Sequence, residues 1–133
     1  MIEKICDSTG EIIALLIQPN IKEIGVNFFT DPNWPMQVAR MSHKQGHTIA
    51  AHTHNPRSSH INTTSEVLLV QAGKLRAKLF SREYELLETR VLEAGDVIVI
   101  MTGGHSFEVM EDCVFFEVKQ GPYDSNNDKT IFG

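Results

Sequence analysis

Apolar residues recur with a period of two, or as continuous β-branched runs, in short segments eight to fifteen residues apart. They fall at Ile12 to Ile17, Gly25 to Phe29, Met36 to Ser42, Thr48 to His54, Val67 to Val70, Lys74 to Phe80, Thr89 to Leu92, Val97 to Ile100, Ser106 to Met110 and Val114 to Lys119. Alternation of this kind puts one face of each segment on a core, so the pattern predicts an all-β chain of about ten short strands. Turn chemistry separates them at Ser8-Thr9-Gly10, Asp31-Pro32-Asn33, Gln45-Gly46, Ala72-Gly73, Glu93-Ala94-Gly95-Asp96 and Gly103-Gly104. Ser81 to Glu85 reads as a polar hairpin connection. Strands of this length with tight turns suit a sandwich or a small closed barrel. The expected core is Leu68, Val70, Leu75, Ala77, Leu79, Val97, Val99 and Phe116, with Arg76 and Lys78 on the solvated face. Trp34 reads as a packing anchor.

Two segments break the rhythm, Asn55 to Ser65 and the polar stretch Gly121 to Gly133. Neither divides the chain, so 1–133 reads as a single domain with an insertion at 55–65 and a polar tail at 121–133. At 133 residues and 41% hydrophobic it can bury a normal core. A formal charge of −5 is the wrong sign for a phosphate-binding surface, which argues against nucleic acid as a partner. The longest aliphatic run, Ile12 to Ile17, is far below the ~20 residues of a membrane helix, and no signal-peptide pattern opens the chain. The expectation is a soluble cytoplasmic protein. Cys6 and Cys113 form no CxxC pair, which leaves a disulfide framework and a thiolate zinc site unsupported.

Six histidines are the anomaly, four of them between His43 and His54. On an extended strand His52 and His54 share a face, placing two imidazoles within reach of one ion. Glu66 heads an otherwise apolar strand face with Leu68 and Val70, where a carboxylate is costly unless paired or coordinating. His105 follows the Gly103-Gly104 turn. Imidazoles with a carboxylate suit Fe(II), Mn(II), Ni(II) or Zn(II).

These residues fall into two Gly-led motifs that resemble those of the cupin superfamily. Gly46, five residues, His52-Thr53-His54, then Glu66, six residues and Gly73 match the first, with a longer gap before the glutamate than the family's usual few residues. Gly95, five residues, then Met101-Thr102-Gly103-Gly104-His105 match the second imperfectly. Met101 stands for the proline, His105 sits one residue early, and Val109 stands at the asparagine. The stretch Glu117 to Tyr123 is similar to small single-domain bacterial cupins linked to surface-polysaccharide sugar processing. The resemblance implies a double-stranded β-helix (jelly-roll) barrel holding one divalent metal through His52, His54, Glu66 and His105. It also implies a small-molecule ligand and a homodimer paired through an N-terminal strand, for which the apolar Ile12 to Ile17 offers an edge.

Such a site permits three function classes: Lewis-acid isomerase or epimerase chemistry on a sugar or nucleotide sugar, Fe(II)-dependent dioxygenation, or non-catalytic ligand capture. Proton transfer needs a base that is not a ligand, and His60 and Tyr123 are the obvious candidates. His60 reads first as a solvated loop residue, the alternative being that it folds over the mouth as an extra ligand, an acid/base or a substrate contact. Arg40, on the parity of Met36 and Val38, is the candidate substrate fork or else a surface residue. His43 and His47 flank a turn and read as exposed.

Overall fold

A computed structural model describes residues 2–133. The described residues contain eight β-strands and no helix, hence none long and apolar enough to cross a membrane. They form two compact units, residues 2–20 with 63–133, and residues 21–62.

The first unit is a six-stranded antiparallel sheet of β1 (Ile2–Cys6), β2 (Ile12–Ile17), β5 (Glu66–Phe80), β6 (Leu86–Glu93), β7 (Val97–Ile100) and β8 (Gly104–Lys119), in the order β1-β2-β7-β5-β6 with β8 along β5. Its opening hairpin is set by Asp7, whose Oδ1 accepts hydrogen bonds from the backbone N–H groups of Thr9 and Glu11 at 2.9 and 3.0 Å. β5 organises the rest. One edge pairs with β7 over residues 66–69 and with β6 over residues 74–80, while the other pairs with β8 along its length. Fifteen extended residues span roughly 50 Å. Yet Glu66 pairs with Ile100 and Phe80 with Gly104, so both ends of β5 meet at the short turn 101–103. The sheet is therefore strongly curled into a half-barrel.

Gly73 lies at the middle of that curl. Its φ is +85°, and a Cβ there would stand 2.0 Å from the carbonyl oxygen of Asp112 on β8. The register slips between Val70 and Ala72, Ala72 and Lys74, and Lys74 and Leu75. Ala72-Gly73 is thus a bulge inside one long strand, where the sequence predicted a turn between two short ones. The expected strands Ser106 to Met110 and Val114 to Lys119 likewise merge into β8.

Leu68, Val70, Leu75, Ala77 and Leu79 of β5 pack with Leu92, Ile98, Ile100, Ala14 and Leu16 in the core cluster. Val99 is buried and Val97 half-buried. Phe116 is a correction: it is 59% exposed, because it pairs with outward-facing Leu69 on the face opposite Leu68 and Val70. Val114 and Val118 are exposed as well. β2 is not an edge. It lies between β1 and β7 with Ile13, Ala14, Leu15 and Leu16 all buried, so its continuous apolarity is accounted for within the chain. Arg76 points outward as expected, 2.9 Å from its cross-strand partner Glu108.

The second unit holds the hairpin β3 (Gly25–Phe28) and β4 (Ala39–Ser42). Its loop is closed by Gln37, whose Nε2 donates to the Asp31 and Trp34 carbonyls at 2.8 Å each. Thr48 to His54 forms no strand: residues 43–65 are irregular. Thr48, Ala50, His52 and His54 are all exposed, and the period-two pattern there buries nothing.

Candidate functional site

Glu66 opens β5 and His105 stands second in β8, so the curl that joins the ends of β5 brings them together. His105 Nε2 is 3.5 Å from Glu66 Oε2, with the side chains 28% and 12% exposed. This is too long for a good hydrogen bond. Glu66 Oε2 and His105 Nδ1 are both buried and without a hydrogen-bond partner. Orphaned polar atoms of this kind are uncommon and call for an explanation.

Three residues that the sequence reading did not single out complete the setting. Across the ladder Glu117 pairs with Leu68 and Lys119 with Glu66, which puts both side chains on Glu66's face. Glu117 is hydrogen-bonded to the Glu66 carboxyl, and Lys119 Nζ is 3.1 Å from Asp128 Oδ2. Burial, then the hydrogen bond and charge of Glu117, with a smaller push from Asp128, raise Glu66 from 4.5 to about 7, Lys119 opposing. Burial holds His105 below its usual 6.5, aided by Lys129 and Lys119 against the pull of Glu117. The site thus favours the protonated carboxyl of Glu66 and the neutral imidazole of His105. Alternation in Val114 to Lys119 assigns Glu117 a face, but its nearness to Glu66 depends on the β5–β8 register, which the sequence does not encode locally.

His52 and His54 lie in the second unit, with ring centroids 5.3 Å apart and planes at 73°. His52 Nδ1 is 2.7 Å from the Ala50 carbonyl oxygen. A carbonyl only accepts, so Nδ1 carries the proton in this contact, which leaves Nε2 as the ring nitrogen for a ligand. His60 is exposed in the irregular segment. Arg40, on β4, donates from Nη1 to the Glu23 carbonyl at 2.9 Å. Tyr123 is exposed, its ring 5.1 Å from Lys119 Nζ. His43 and His47 are exposed and stacked at 4.1 Å.

The structure therefore brings together Glu66 with His105, and His52 with His54. Among the described residues no group of three or more His, Cys, Asp or Glu side chains is arranged to hold a metal ion. The donor chemistry of each pair fits a borderline divalent ion, with an orphaned carboxylate oxygen in one and, in the other, an imidazole whose Nδ1 is engaged by a backbone carbonyl. No family model, curated protein or solved structure matches the chain.

Proposed function

We propose that the chain is a cupin-like metal-binding protein that acts on a small oxygen-rich molecule, with a sugar or nucleotide sugar as first candidate. The observation that carries the reading is the buried pair at the end of the curled sheet, Glu66 Oε2 facing His105 Nε2 at 3.5 Å, with no hydrogen-bond partner on that oxygen. Three carboxyl groups, Glu66, Glu117 and Asp128, act there against Lys119 and a neutral His105. A divalent cation answers that imbalance, since it favours the ionised form of a carboxylate that burial and like charge otherwise keep protonated. The sequence motif adds His52 and His54 to the ligand set.

Such an ion, when bound, polarises a substrate carbonyl or hydroxyl. In the isomerase or epimerase reading Tyr123, next to Lys119, or His60 then moves the proton. The test is elemental analysis of tag-free protein purified without chelator, for wild type, Glu66→Gln and His52→Ala. Near-stoichiometric metal in the wild type and its loss in both variants is the expected result. Full metal in His52→Ala removes the motif histidines from the set. A wild type that takes up none of Fe(II), Mn(II), Ni(II) or Zn(II) ends the metal reading.

A further inference from the structure

Residues 121–133, which follow β8, are fastened to the first unit at two points. One is the Lys119–Asp128 ion pair at 3.1 Å, with the side chains 21% and 19% exposed. The other is Phe132, whose ring stacks on Tyr84 at 4.3 Å and meets Phe80 edge-on at 5.1 Å. Gly104 makes the second possible, because a Cβ there would lie 2.6 Å from Phe132 Cζ. Tyr84 holds its place at φ +71°, which among the described residues no other non-glycine residue matches. Strained backbone persists where the surroundings fix it, and here it presents an aromatic platform.

The two fastenings flank one place. Lys119 is the cross-strand partner of Glu66, and Gly104 immediately precedes His105. We propose that residues 121–133 are a strap, latched at Lys119 and in the Phe80–Tyr84–Gly104 slot, that closes over the Glu66–His105 pair and lifts to admit its ligand. The electrostatic reach of the segment agrees, since Asp128 acts on Glu66 and Lys129 on His105. The strap rests on the functional reading only in taking this pair as the site.

Its test needs neither metal nor substrate. Diethyl pyrocarbonate acylates neutral imidazole nitrogens, and peptide mass spectrometry reads its rate at each histidine. His105 is 28% exposed with Nδ1 shut off from solvent, so its rate in the wild type is the baseline, and His43, which is exposed, serves as the internal reference. Phe132→Ala removes the latch. Tyr84→Gly removes the platform while allowing the same left-handed φ, so it unlatches the strap with the turn conformation still accessible. Losing one aromatic stack is expected to speed His105 modification by about tenfold in both variants, with His43 unchanged. A change below about twofold in both overturns the strap, as does an equal rise at His105 in Leu75→Ala, which loosens the core without touching the latch and so reports general loosening instead. Failure of the metal analysis leaves this outcome untouched.

Discussion

A carboxyl group raised to about 7 makes the stability of the fold depend on pH in a definite direction. Between its ordinary 4.5 and about 7 the folded chain holds a proton on Glu66 that the unfolded chain has released. Stability from this residue is therefore highest below 4.5 and falls as pH rises through 7. His105 works the other way: it resists protonation when folded, so acid below 6.5 costs stability. In chelator-treated protein, Glu66→Gln should remove the first slope and leave the second. Allowing for partial solvent screening, the difference between wild type and variant should change by about 1–3 kcal/mol from pH 4.5 to pH 8. Urea denaturation across that range measures it, and parallel pH curves for the two proteins would show that Glu66 titrates normally. The sequence displayed this residue plainly, as a carboxylate at the head of an apolar face, but not Glu117, whose effect on it requires strands 50 positions apart to be in register.

The element that decides the architecture is β5, and its curvature depends on Gly73. Any side chain there meets both a left-handed φ and the Asp112 backbone of β8. Gly73→Ala should therefore cost about 2–4 kcal/mol, more than the ordinary glycine-to-alanine change, because strand β8 must move as well. Leu75→Ala, at a fully buried position two residues on, should cost about 2–5 kcal/mol by leaving a cavity. Denaturant midpoints with unchanged m-values would check both, and a Gly73→Ala protein of wild-type stability would refute the bulge. The sequence marked Gly73 as special but misread how. A turn and a bulge both call for positive φ, and only the continuous pairing of β5 with β8 distinguishes them. The same bookkeeping explains Phe116, whose apolar side chain belongs by parity to the outer face with Val114 and Val118.

Across the whole chain, legibility followed burial. The strands that pack, Ile12–Ile17, Val97–Ile100 and the two halves of β5, stand where the apolar pattern put them: the first two are buried on both faces, and in β5 a one-residue slip would expose Leu68, Val70, Leu75, Ala77 and Leu79. Thr48 to His54 has the same alternation and no strand, because nothing covers either face and the pattern has no energy to enforce it. Hydrogen exchange should show this contrast directly. Amides of Ile98, Val99 and Ile100, buried and paired on both sides with β2 and β5, should be among the slowest, and those of residues 48–62 should exchange without protection. The same measurement tests the proposed ligand set when Mn(II) or Zn(II) is added. An ion held by His52 and His54 must order residues 50–56 as it binds, since ligation removes the freedom of an unpaired backbone. Protection should then appear at 50–56 and rise at 104–106 over the same concentration range. Protection confined to 104–106 would assign the ion to Glu66 and His105 with other donors, and protection in neither would dismiss it.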